Sequence, residues 1–105
     1  MLMASEFGDI ENLVRYPKKG ILSEELAKST SRNITLFCMA KGTELSEHTA
    51  SREGFVFVLD GKGTFVLGKK KIKMEPGVFI LMKKKAPHSL SAKSNLAFLL
   101  VLTGN

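Results

Sequence analysis

What most constrains this chain is a succession of short β-branched and aromatic runs, each closed by a turn signal, from residue 34 to the end. Ile34 to Ala40 (ITLFCMA) stops near Gly42. Phe55 to Leu59 (FVFVL) runs into Asp60-Gly61-Lys62-Gly63 and out again as Thr64 to Leu67 (TFVL), the pattern of a tight hairpin. Gly68 and three lysines separate that strand from Lys71 to Met74. Pro76-Gly77 makes the next turn, because proline presets φ and glycine accepts a positive one. Val78 to Met82 (VFILM), His88 to Ala92 and Leu96 to Leu102 (LAFLLVL) follow. Strands this short and this evenly spaced predict an all-β sandwich or barrel.

Two of these strands are apolar on both faces. Phe55, Phe57 and Leu59 alternate with Val56 and Val58; Leu96, Phe98, Leu100 and Leu102 alternate with Ala97, Leu99 and Val101. One face of each fills a barrel. The other needs cover, from the N-terminal segment or from a second subunit, and a homodimer is the expectation. The first third of the chain is less periodic. Ile10 to Tyr16 fits a helical turn or a strand stopped by Pro17, and Ile21 to Lys28 (ILSEELAK) fits a short helix or an edge strand. The division expected is residues 1–32 as a segment packing on the barrel and 33–105 as the barrel.

With 105 residues there is room for one core. No apolar run approaches the roughly 20 residues needed to cross a bilayer. Met1 to Asp9 lacks the basic start of a signal peptide. The lone cysteine, Cys38, fits a reducing compartment, so the cytoplasm is expected. The net charge of +6 is concentrated in Lys69, Lys70, Lys71 and Lys73 and in Lys83, Lys84 and Lys85. Without interleaved exposed aromatics or a recognition helix, these runs read as solvated loops, and neither nucleic acid nor membrane is expected as a partner.

From Gly42 the sequence resembles the cupins, small jelly-roll or double-stranded β-helix barrels. Gly42, five residues, His48-Thr49-Ala50 and the run to Leu59-Asp60-Gly61 follow their first motif. Pro76-Gly77, then Val78 to Met82, then His88 after Ala86-Pro87, follow their second. The resemblance implies a single-domain cupin β-barrel with a short N-terminal segment. It also implies that His48 and His88 occupy two of four metal-ligand positions. The second histidine position is Ala50, and the glutamate position falls on Gly54, with Glu53 one residue early. Glu53 reaches the metal only through a bulge at Gly54, since a one-residue slip turns a side chain to the other face. Lys83, Lys85 and Ala92 replace the Pro, Gly and Asn of the second motif. Glu44, Glu47 and Cys38 are further donors, all off-pattern.

A transition metal wants three or four protein donors. The resemblance therefore implies no assured cofactor, only a weakly held divalent metal such as zinc, manganese, iron or nickel at His48 and His88. The first function expected is binding of a small, anionic organic molecule by His48, His88 and Arg52. Alternation of strand direction sets Arg52, both lysine clusters and the approach to His88 at one barrel mouth. The alternatives are a metal-dependent oxygenase, isomerase or lyase with an atypical site, and a packed barrel whose dimer surface is what matters. Whether the chain is an enzyme stays open at this level. No nucleophile elbow, phosphate loop or paired-cysteine motif is present.

Overall fold

The computed structural model describes residues 7–104. A single 3-10 turn, Ile10–Asn12, precedes nine strands: β1 (Ile21–Lys28), β2 (Arg32–Met39), β3 (Glu44–His48), β4 (Glu53–Asp60), β5 (Gly63–Leu67), β6 (Lys70–Met74), β7 (Phe79–Met82), β8 (His88–Ala92) and β9 (Leu96–Thr103). They form two antiparallel sheets, ordered β1-β2-β9-β4-β7 and β3-β8-β5-β6. The fold is all-β, as the strand and turn spacing predicts.

The pleat decides what each sheet buries. On β4, Val56 and Val58 face inward and are closed to solvent, while Phe55, Phe57 and Leu59 take the outer face. Val56 and Val58 pack with Met39, Phe65, Met74, Leu96 and Phe98 between the sheets. Phe37 and Phe98 stack across β2 and β9 with centroids 5.3 Å apart.

The second face of the large sheet is covered in part by the chain's own start. Leu36, Cys38 and Ala97 form a separate buried cluster against Ile10, Leu13, Val14 and Tyr16. Cys38 is thus a buried, outward-facing sheet residue beneath this segment, and burial pushes its thiol pKa up. Among the described residues, cover ends before β7: Phe79 and Leu81 are 64% and 68% exposed, with Phe57 beside them.

Of the two readings for Ile21 to Lys28, the strand is the one observed. Residues 21–28 pair with β2 along nearly their whole length, with one irregularity between Glu25 and Ala27, so sheet pairing overrides the local helix preference. Ile10 to Tyr16 supplies a helical turn rather than a strand; Asp9 caps it by accepting from the Glu11 backbone N–H at 3.0 Å.

Tyr16, the only tyrosine, fastens the segment to the end of β4 by donating its hydroxyl to Asp60 Oδ2. Burial, then this hydrogen bond and the Asp60 charge, raise the phenol well above its ordinary value of 10. The unfolded chain therefore ionises first as pH rises. Stability from this group is complete below pH 10 and is lost above it, towards the folded value. Tyr16→Phe is expected to cost about 1 kcal/mol at pH 7 and to flatten the alkaline fall in stability. Urea titrations of both proteins at pH 8 and above test this, and parallel curves would disprove it.

Candidate functional site

The two histidines of the chain are register partners on adjacent strands, His48 ending β3 and His88 opening β8. Glu44 and Leu45 pair with Ser91 and Leu90 in regular order, and one extra residue then intervenes before His48 meets His88. Without that bulge Glu47 would stand opposite His88. The bulge gives the inward place to His48 and leaves Glu44 and Glu47 lining an outer groove with Ser46 and Ser89.

The rings meet edge to face, with centroids 4.2 Å apart and an interplanar angle of 66°. His88 is buried, and Phe65 lies parallel to it at 5.8 Å with 6° between the planes. His48 is solvent-exposed, so the pair reaches from the surface to a buried ring. Each ring is held from its own strand end. His48 Nδ1 lies 2.8 Å from the Ser46 carbonyl and His88 Nδ1 lies 2.9 Å from the Ala86 carbonyl. A carbonyl can only accept, so both Nδ1 atoms carry the proton and Nε2 is the nitrogen with a lone pair to offer.

Both imidazoles line one cavity of about 50 Å³, whose other walls are apolar side chains including Leu45, Phe65, Met82 and Phe98. The structure thus brings together the two residues that the motif spacing singles out. Phe65, which fixes the His88 ring plane, is legible in sequence only as a core aromatic; its stacking role comes from the Leu67–His88 register of β5 and β8.

Arg52 is not brought into the cavity lining. It lies in the loop between β3 and β4, at the barrel end that also holds the 83–87 loop; the Lys85 backbone N–H donates to the Ala50 carbonyl at 2.8 Å, and Gly68 N–H to the Pro87 carbonyl at 2.9 Å. Both lysine clusters are exposed. Lys85 itself has φ 61, a left-handed conformation at the very position where the second motif has glycine.

Glu53 does not join the histidines. It stands opposite Thr103, and Gly54 and Phe55 continue in step opposite Leu102 and Val101, so no bulge at Gly54 realigns it. The irregularity of β4 falls between Val58 and Asp60 instead. Glu53 keeps the exposed face that its register dictates, which corrects its candidacy as a ligand. Cys38 is on the far side of the large sheet, beneath the N-terminal segment. Among the described residues, no three His, Cys, Asp or Glu side chains gather where they could hold a metal. Two imidazole nitrogens supply half of a tetrahedral shell, so the donor set does not fit a tightly bound transition metal.

A two-sheet all-β fold is the architecture that the strand and motif spacing implies, and comparison with known families agrees on that fold. The cupin domain family matches residues 35–103, and the chain belongs to it. Among solved structures, a conserved protein of unknown function from Streptococcus pyogenes is similar at 25% identity and TM-score 0.86, over 96% of this chain and 89% of that one. A cupin superfamily protein from Desulfitobacterium hafniense is similar at 22% identity and TM-score 0.84, over 90% and 86%. Salicylate 1,2-dioxygenase from Pseudoaminobacter salicylatoxidans shares the fold at 16% identity and TM-score 0.75, over 80% of this chain and 26% of that one. No curated protein matches the sequence. No helix among the described residues is long and apolar enough to cross a membrane.

Proposed function

We propose that this cupin binds a small organic molecule of anionic character, with His48 and His88 presenting Nε2 to it from the wall of the barrel cavity. The observation that carries this reading is the juxtaposition of two imidazoles, both with Nδ1 committed to backbone carbonyls, at the one polar spot of an otherwise apolar cavity. A few convergent polar groups on an apolar wall orient a ligand, and imidazoles can also hold or pass a proton near neutral pH. The exposed lysines of the 68–71 and 83–87 loops favour approach of an anion to this end. The molecule works in the cytoplasm, without nucleic acid or membrane as partner. Screening small anions by thermal shift tests the reading. Hits should be lost in both His48→Ala and His88→Ala; hits indifferent to both substitutions would sink it.

The reading as a metal-dependent enzyme has less support, because the dioxygenase likeness concerns fold alone and the ligand set stops at two. Divalent metal is expected at well below one per chain after purification, and chelator should remove it without lowering the melting temperature. Ala50→His, which restores the missing motif histidine, should raise zinc affinity by about tenfold or more. Elemental analysis with melts in and out of chelator checks this. One tightly held metal per chain whose removal lowers the melting temperature would overturn it.

The apolar outer face of β4 and β7 supports assembly as a homodimer, by the exposure of Phe79 and Leu81 on adjacent positions. That assembly would give the face a partner without involving the cavity.

A further inference from the structure

Arg52 presents a problem that the rest of the fold does not solve. Its Nε and Nη2 are both closed to solvent and neither donates to any acceptor among the described residues. Arg52 is half-buried, and the N–H groups of its sheltered edge are costly to leave unmatched; Nε and Nη2 together form the planar edge that grips a carboxylate through two parallel hydrogen bonds. The loop that carries it starts at His48 and is tied to the loop leading into His88 by the Lys85–Ala50 backbone bond. On that same tie sits the left-handed Lys85, the one positive-φ residue other than glycine among the described residues. An unmatched cation and a strained backbone thus share the two loops that bound the imidazole pair, and such costs persist where a ligand is to be held.

We infer that the ligand is a carboxylic acid with a short apolar tail, its carboxylate gripped by the Nε–Nη2 edge of Arg52 and its tail lodged in the apolar cavity that His48 and His88 line. This deepens the proposed function and rests on it for the placing of the tail. A carboxylate suits the site better than a phosphate, because one planar two-donor edge matches two coplanar oxygens and leaves a tetrahedral dianion's remaining oxygens unmatched by that edge. Cavity volume sets the tail. At about 50 Å³ it is small, which limits the tail to a few heavy atoms. Because the Arg52 edge is closed to solvent and stands outside the cavity lining, binding has to shift the 49–52 loop.

The test is a titration of the full chain with butyrate, butyramide and inorganic phosphate, followed by NMR. The chain has two histidines, so their ring C–H signals report the cavity individually, and the Arg52 Nε–H signal reports the fork. Butyrate should move all three, and butyramide, the same shape without the charge, should bind at least tenfold more weakly. Arg52→Met should lose at least tenfold in butyrate affinity with butyramide unchanged. Arg52→Lys, which keeps the charge without the planar edge, should recover little of it. Imidazole signals that respond equally to butyrate and butyramide, or butyrate affinity unchanged in Arg52→Met, would overturn the carboxylate while leaving the cavity reading intact. Phosphate binding more tightly than butyrate would do the same. Imidazole signals silent to every probe would sink the cavity reading and this inference with it.

Discussion

Gly61→Ala is expected to destabilise the barrel by about 2–5 kcal/mol, a large part of the roughly 5–15 kcal/mol that keeps a domain of this size folded. Two separate costs combine. Gly61 has φ 84, and a residue with a Cβ pays about 1–2 kcal/mol for that left-handed backbone. The Cβ itself would lie 1.8 Å from the Asn95 carbonyl oxygen and 2.9 Å from Leu96 Cα. Neither is the end of a flexible side chain. Relief means moving the entry of β9, where Leu96, Ala97 and Phe98 are all buried, and overpacking of this kind costs a further 1–3 kcal/mol or so. Gly77 provides the control. It has φ 93 but nothing within 4 Å of its Cβ position, so Gly77→Ala carries the backbone cost alone. Urea unfolding of the two variants separates the terms. Equal losses at the two positions would mean that the close approach of β9 is not what Gly61 accommodates.

The same glycine shows what a sequence makes visible and what it does not. Asp60-Gly61-Lys62-Gly63 announces a hairpin because the turn's demand for positive φ is local. The approach of Asn95 is not local: it arises from the pairing of β4 with β9, which no short window contains. The strands that read clearly, such as β4 and β9, are those with apolar residues on both faces. β3 (ELSEH) escaped notice as a strand because Leu45 is its one apolar residue, and its outer face lies in water. β1 read equally as helix, since Glu, Leu, Ala and Lys favour a helix and only pairing with β2 decides otherwise. At the site, the placing of His48 and His88 follows from motif spacing. The bulge that selects His48 over Glu47 leaves no mark in composition, because it depends on how β3 meets β8. The opposite fate of Glu53 follows from a rule that is readable in advance: with no bulge at Gly54, one residue of offset is one change of face.

The second large effect concerns assembly, and here the sequence supplies the need for cover while the structure shows where cover is missing. Among the described residues, the N-terminal segment closes over Leu36, Cys38 and Ala97. Beyond it, Phe57 pairs with Phe79 and Phe55 with Leu81 across β4 and β7, and Leu99 and Val101 continue the rows on β9. The proposed two-fold dimer on this face uses the same patch from both copies, so every substitution acts twice. A phenylalanine presents about 150–250 Å² to a partner, and Phe79 leaves 64% of its surface open. Counted over both copies, this amounts to about 250 Å² of apolar surface, or about 6 kcal/mol at 25 cal/mol per Å². Phe79→Lys removes that area and places an ammonium group from each copy in the apolar interface. It is expected to weaken the dimer by about 5 kcal/mol, between three and four powers of ten in Kd, and to leave a monomer at micromolar concentration. Leu81→Lys should act in the same direction. Thr64→Lys, on the polar outer face of the other sheet, should leave assembly unchanged and controls for charge alone. Because Phe79 is exposed within the single chain, the folded monomer should lose little stability, which separates loss of partner from loss of fold. Light scattering across a dilution series reads the outcome. A wild-type mass that is monomeric at every concentration, or a Phe79→Lys protein that remains dimeric, would mean that this face does not join two copies of the chain.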